Sequence, residues 1–187
     1  MSEHSLEKST PAPWRVPVAV DDIPEEGRHF ALVADADTRA SIARMAGLRD
    51  LPRLEADFEI TRQGADGLRI VGQVSATAGQ TCVVSLEPLA NNVEERVDLV
   101  FMPKSTAALA AAETETGDSQ AETKWDEPET LVGGIVDLGA VATEFLMLGL
   151  DPYPRKPGVV FEPPQDLKPD GGPFAALDTW SKDRNGR

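Results

Sequence analysis

Cysteine and histidine are the residues of this chain best suited to nucleophilic chemistry, and both are scarce. The chain has one cysteine, Cys82, and two histidines, His4 and His29. A thiol nucleophile needs a neighbouring base, but His4 lies in a polar N-terminal stretch and His29 lies beside a predicted strand. Because free cysteines are most often small buried residues, we interpret Cys82 as a structural residue of a β-strand.

The other residue types supply no enzyme or metal motif. A single cysteine excludes an internal disulfide and a cysteine-rich zinc site. The carboxylates form neither an H-E-x-x-H sequence nor part of a glycine-rich nucleotide-binding sequence. We therefore expect a chain that is not an enzyme and that uses no cofactor and no metal ion.

A short basic segment is the stronger candidate for a site. Tyr153, Arg155 and Lys156 are interspersed with three prolines, which hold two adjacent cations on a stiff turn. Loops on rigid supports often carry function, so we predict a partner-binding role here, with a plain solvated loop as the alternative. Glu87, before Pro88, is a further candidate contact, although a role in a turn accounts for it equally well.

A predicted helix over residues 137–149 positions the basic segment. Asp137 offers a carboxylate to the free N–H groups of a helix start, and Gly149 with the Asp151–Pro152 step ends the helix. Apolar residues recur at helical spacing and need a partner surface: Leu138, Val141, Ala142, Phe145, Leu146, Leu148 and Gly149.

The chain before this helix alternates as strands do. The pattern predicts a strand from Trp14, a second at residues 30–33 and a helix at 37–47 capped by Asp35 or Asp37. Further strands follow between Leu51 and Phe101, with a short one at 82–86. Turns are predicted at residues 64–67, 78–80 and 91–92, and loops this short imply antiparallel pairing.

Three segments look peripheral. Residues 1–13 predict a flexible leader. The composition of residues 104–130 predicts a disordered acidic insertion. Between residues 105 and 129 there are seven acidic residues and one basic residue, Lys124. Near the end, Pro173 can start a short helix with Phe174 and Leu177 on one side, and we include Phe174 and Trp180 among the candidate partner contacts.

The negative net charge of the chain disfavours partners that are rich in phosphate. The formal net charge is −14, which favours a soluble protein and disfavours a large phosphate-binding surface. No apolar run reaches eighteen residues, and the first fourteen residues do not form a secretion signal. We expect a cytoplasmic protein that binds neither membranes nor DNA.

Two stretches resemble a known family. TCVVSLEPLANNVEERVDLVFMP and IVDLGAVATEFLMLGLDPYPRKPG resemble the YceD family, the large ribosomal RNA subunit accumulation proteins. The ending GPFAALDTWSK is similar to the family's N-P-F-x-x-L-x-x-L-K tail, with Gly172 in place of the asparagine. Many members carry C-x-x-C where this chain has Cys82 and Ser85, and a serine cannot supply the second thiolate of a zinc site.

The resemblance implies a role in the synthesis, processing or stability of large-subunit ribosomal RNA. We predict a non-enzymatic accessory protein of ribosome assembly whose partners are ribosomal proteins or large-subunit assembly factors, with a local RNA contact as an additional option. The alternatives are an RNA-binding protein using a local basic patch, or a general protein-interaction module. The cations that such a patch would use are Arg53, Arg62, Arg69, Arg155 and Lys156.

For the fold, we predict an α+β domain over residues 14–187. It comprises an antiparallel sheet of about five or six strands that can curl toward a barrel, two packed helices at 37–47 and 137–149, and a short C-terminal helix.

Overall fold

The structure, a computed structural model, describes residues 12–103 and 128–161. It contains two compact units, Met1–Lys156 and Pro157–Arg187, and every element below belongs to the first. The described strands are β1 (Pro17–Ala19), β2 (Arg28–Val33), β3 (Asp50–Gln63), β4 (Gly67–Thr81), β5 (Pro88–Pro103), β6 (Glu129–Leu131) and β7 (Ile135–Asp137). The described α-helices are α1 (Ala36–Met45) and α2 (Leu138–Gly149), and one 3-10 turn spans Val20–Asp22.

The main sheet has five strands in the order β2-β3-β4-β5-β6. Strands β2 to β5 pair antiparallel, and β6 runs parallel to β5, with Phe101 opposite Glu129. Side chains alternate between the two faces. One face is buried in a single hydrophobic cluster that includes Phe58, Ile70 and Val97, whereas the opposite face is polar.

Both helices pack into the same hydrophobic cluster as the buried sheet face. Ile42 of α1 and Leu138 and Leu146 of α2 are fully buried there. Each helix begins with an aspartate cap, as expected from the orphan N–H groups of a helix start. Asp35 accepts from the Thr38 N–H at 2.7 Å, and Asp137 accepts from Gly139 and Ala140.

A separate two-stranded sheet, β1 with β7, joins the N-terminal part of the chain to the start of α2. Pro17 pairs with Asp137. The Val16 N–H donates to Asp137 Oδ1 at 2.8 Å, and the Leu138 N–H donates to the Val16 carbonyl at 2.9 Å. Asp137 is therefore shared between the helix cap and the small sheet, which fixes where α2 begins.

The predicted fold is wrong in its architecture. The described residues are mostly β, with seven strands in two sheets, instead of one antiparallel sheet of five or six strands. The main sheet does not close into a barrel, because β2 and β6 are its opposite edges. The description as α+β holds broadly, and α1 and α2 lie near residues 37–47 and 137–149. The predicted C-terminal helix lies outside the described residues.

Two predicted turns and one predicted strand are also wrong. Strand β4 continues through residues 78–80, and β5 continues through Asn91 and Asn92. The turn-forming asparagines are accommodated because Thr77 Oγ1 donates to Asn92 Oδ1 at 3.2 Å and Asn91 Nδ2 donates to Gln80 Oε1 at 2.6 Å. The chain reverses instead at residues 82–87, where a strand was expected. The single-domain interpretation of residues 14–187 stays a prediction.

Candidate functional site

The loop at residues 82–87, between β4 and β5, is closed by its own backbone. The Cys82 N–H donates to the Glu87 carbonyl at 2.9 Å, and the Leu86 N–H donates to the Cys82 carbonyl at 3.0 Å. Leu86 adopts a φ of 59°, in the left-handed region that non-glycine residues seldom occupy. These contacts hold the loop in one compact shape.

The segment at residues 151–156, which follows α2, lies against that loop. Asp151 Oδ1 accepts from the Tyr153 N–H at 2.8 Å, and the Asp151 carbonyl accepts from Gln80 Nε2 at 2.9 Å. Pro154 is buried, and its carbonyl accepts from the Val83 N–H at 2.9 Å. We call the 82–87 loop and the 151–156 segment together the clasp.

The Cys82 sulfur lies at the centre of the clasp. Its side chain is fully buried, and Sγ accepts from the backbone N–H groups of Ser85 and Lys156, each at 3.4 Å. Hydrogen bonding by Ser85, and then by the Lys156 N–H, lowers the pKa of the thiol to about 6. A sulfur that accepts hydrogen bonds favours its charged form, so Cys82 joins the two parts of the clasp as an acceptor.

An ion pair joins the same two parts at the surface. Lys156 Nζ lies 2.9 Å from Glu87 Oε2, and Ser85 Oγ donates to the same oxygen at 3.3 Å. The pair lowers the pKa of Glu87 and raises the pKa of Lys156. Both side chains are about half exposed, so we expect the pair to orient the clasp more than to stabilise the fold.

The clasp presents a mixed apolar and basic surface. Tyr153 is 71% exposed and Leu86 is 76% exposed. Arg155 is also exposed, and it forms no ion pair within the described residues. An exposed aromatic residue beside an arginine, on a fixed backbone, is a composition enriched in the energetic centres of protein interfaces.

Four of the predicted contact residues, Tyr153, Arg155, Lys156 and Glu87, come together in the clasp. Phe174 and Trp180 lie outside the described residues. The sequence did not indicate that Leu86 is exposed on the clasp or that the Cys82 sulfur accepts hydrogen bonds at its centre. Cys82 was expected in a strand, but it lies in the turn after β4. Its spacing to Ser85 was the available signal, although the Lys156 partner, 74 residues away, was not visible in the sequence.

A comparison with protein families identifies the family to which this chain belongs. Residues 70–173 match the family described as large ribosomal RNA subunit accumulation protein YceD. The chain belongs to the YceD family. The matched region spans more than half of this YceD chain and contains both parts of the clasp. The chain matched none of the curated proteins or solved structures with which it was compared.

The candidate cations for a local RNA contact do not form one patch. They are Arg53, Arg62, Arg69, Arg155 and Lys156. Arg53 and Arg69 lie on the polar sheet face, opposite Thr77 and Thr61, which separates them by eight residues of strand, roughly 26 Å. Arg69 forms two 3.0 Å bonds to Asp98.

Two more of the five cations considered for RNA contact are also engaged. Arg53 lies 3.3 Å from Glu55, and Arg62 Nε donates to the Ile23 carbonyl at 2.7 Å. With Lys156 paired to Glu87, Arg155 is the member of this set without a partner among the described residues.

Three further features were considered in the described residues: His29, clusters of potential metal ligands and the lengths of the helices. His29 Nε2 is hydrogen-bonded to Asp57 at 2.9 Å, which raises the pKa of His29. Within residues 12–103 and 128–161, no cluster of three or more potential metal ligands occurs. In the same residues, neither helix has the length and apolar character needed to span a membrane.

Proposed function

We propose that this YceD-family chain acts in the accumulation of large-subunit ribosomal RNA as a non-enzymatic accessory protein of ribosome assembly. Its partners would be ribosomal proteins or large-subunit assembly factors. The family membership supports the pathway, and the charge of −14 supports basic protein partners over a direct RNA surface.

The observation that carries this proposal is the construction of the clasp. Two segments distant in sequence are joined by the buried Cys82 sulfur and by the Glu87–Lys156 pair. The exposed Tyr153, Leu86 and Arg155 are thereby presented on a backbone that is already ordered. Preorganisation of this kind lowers the entropy cost of binding.

The test is rescue of cells that lack the gene, with large-subunit ribosomal RNA as the readout. We expect Tyr153→Ala combined with Arg155→Ala to leave precursor RNA accumulated and mature RNA reduced, as in the deletion. Removing two central contacts should weaken partner binding by about tenfold or more. Northern blots and sucrose-gradient profiles measure the effect.

A matched control separates this effect from general surface damage. Val33 is 71% exposed and Arg96 is exposed, and both lie on the polar sheet face away from the clasp. Val33→Ala with Arg96→Ala removes one exposed apolar side chain and one exposed arginine, and it should rescue fully. If the deletion itself leaves precursor and mature RNA unchanged, the assembly role is wrong. If the clasp variant rescues as well as the control, the clasp is not the binding surface.

A further inference from the structure

A second surface, distinct from the clasp, lies along α2. A groove of about 390 Å³ runs between α2 and strands β5, β6 and β7. Its lining is largely apolar and includes Leu99, Phe101 and Phe145, which are only partly buried against the hydrophobic core. This groove is the unpartnered part of the helix face that the core does not cover.

The apolar character of the groove continues onto its rim. Leu148 is 70% exposed and Val132 is 77% exposed, and Ile135 is more than half exposed. A small-molecule site encloses most of its ligand and converges on a few polar groups, whereas an exposed apolar rim is typical of a docking surface for another protein. Val141, Phe145 and Leu148 supply contacts at helical spacing along one wall.

The charges around the groove are negative. Glu129 and Glu144 line it, are exposed and form no ion pair within the described residues. A third acid, Asp137, is occupied by the cap of α2 and lies 3.5 Å from Arg15. No lysine or arginine is among the described residues that line the groove. An occupant with apolar anchors and positive charge would complement this pattern.

Charge disfavours a second copy of the chain, residues 104–127 and anionic ligands as occupants of the groove. Two copies of the chain meeting through this groove would bring the same acidic rim face to face, because a twofold interface uses one surface twice. Residues 104–127 of the chain itself carry six acids and two lysines, so they share the sign of the rim. Anionic lipid and nucleic acid are disfavoured for the same reason.

We infer that the groove between α2 and strands β5, β6 and β7 binds a basic amphipathic helix of a partner protein, with apolar side chains in the groove and cations facing Glu129 and Glu144. Helices that insert into grooves use apolar residues at i, i+3 or i+4, and i+7. This inference rests on the proposed function, in which the partners are basic proteins, and it assigns a surface other than the clasp to them.

The probe is a labelled helical peptide with leucines at that spacing and lysines elsewhere, measured by fluorescence anisotropy against the full chain. The comparison peptide replaces every lysine with glutamate. We expect binding of the lysine peptide alone. Leu148→Ser should weaken it by about tenfold, since the substitution removes an apolar anchor without changing charge. Glu144→Gln should weaken it by about threefold and reduce its salt dependence.

Matched variants on the polar sheet face serve as controls. Val33→Ser removes an equally exposed apolar side chain, and Glu94→Gln removes one exposed acid. Both should bind the lysine peptide as the unchanged chain does. The inference is overturned if the unchanged chain does not bind the peptide, or if each control weakens binding as much as its groove counterpart.

Other occupants give recognisable results that also overturn the inference. A dimer in sedimentation that Leu148→Ser converts to a monomer would assign the groove to a second copy. Stronger peptide binding after residues 104–127 are replaced by a glycine-serine linker would assign it to the chain itself. Absent peptide binding together with normal rescue of ribosomal RNA would remove the groove inference alone. A deletion without an RNA phenotype would remove the proposed function, whatever the peptide shows.

Discussion

At the scale of single residues, Cys82 shows which properties of the site can be predicted from the sequence and which cannot. A lone cysteine with no nearby base in the sequence was interpreted as structural, and the residue is buried. Its chemical partners could not be predicted, because the sulfur accepts one hydrogen bond from Ser85 and another from Lys156, 74 residues away. The proline spacing around Tyr153 was enough to identify the basic segment. It was not enough to place that segment against Glu87, since that contact depends on the tertiary fold.

The lowered pKa of Cys82 predicts a pH dependence of stability. The thiol of Cys82 has a pKa of about 8.5 in the unfolded chain and a pKa of about 6 in the folded chain. The unfolded state therefore binds more protons between these values, so the contribution of Cys82 to stability is complete above the unfolded pKa and is lost as the pH falls through 6.

The measurement is the melting temperature of the unchanged chain and of Cys82→Ser between pH 5.5 and pH 9. A serine hydroxyl does not titrate in this range, so the variant serves as the reference. We expect the difference in melting temperature to widen as the pH rises from about 6 to about 8.5 and then to level off. A difference that is constant with pH would mean that the thiol is not ionised in the folded clasp.

At the scale of secondary-structure elements, apolar alternation and helix caps were informative. Turn propensities correctly predicted the turn at residues 64–67 but were misleading at 78–80 and 91–92. Asp35 and Asp137 cap the two helices, as their positions in the sequence indicated. Residues 91–92 favour a turn by type, but they lie within β5 because cross-strand hydrogen bonds satisfy their side chains. Strand β6 pairs parallel after a connection of more than twenty residues, and local patterns do not encode such a pairing.

The pairing of β3 with β4 requires a residue without a side chain at position 72. A Cβ atom at position 72 would overlap the Asp57 carbonyl oxygen and would lie 2.9 Å from Phe58 Cδ1. Because the nearest atom belongs to backbone, the strands must separate to admit an alanine. We expect Gly72→Ala to reduce the free energy of unfolding by about 2 kcal/mol or more.

Urea denaturation of the purified variant measures this loss. Gln73→Ala is the control, because Gln73 is the next residue of β4 and points to the exposed sheet face. It should change the free energy of unfolding by less than about 0.5 kcal/mol. If Gly72→Ala is as stable as Gln73→Ala, the close approach of the two strands does not exist in solution.

At the scale of the whole molecule, the distribution of charge over the described strands disfavours RNA binding on the sheet. Proteins that bind single-stranded RNA on a sheet stack bases on exposed aromatic residues and follow the backbone with cations. The exposed face of strands β2 to β5 carries no phenylalanine, tyrosine or tryptophan, and its arginines are interspersed with Glu55, Asp57, Glu94 and Asp98. Net charge can be read from composition, whereas the pairing of Arg53 with Glu55 and of Arg69 with Asp98 required the fold.

This distribution predicts that the purified chain does not bind ribosomal RNA by itself. Anisotropy with labelled single-stranded and hairpin fragments at about 50 mM salt, where phosphate contacts are strongest, should show no binding at micromolar protein. Binding that weakens steeply with salt and disappears in Arg155→Ala with Lys156→Ala would contradict the prediction and establish a local RNA contact at the clasp.

RNA recovered with the chain from cells should accordingly depend on a protein partner. Nuclease treatment before capture should therefore leave that partner bound, because its contacts with the chain do not pass through RNA.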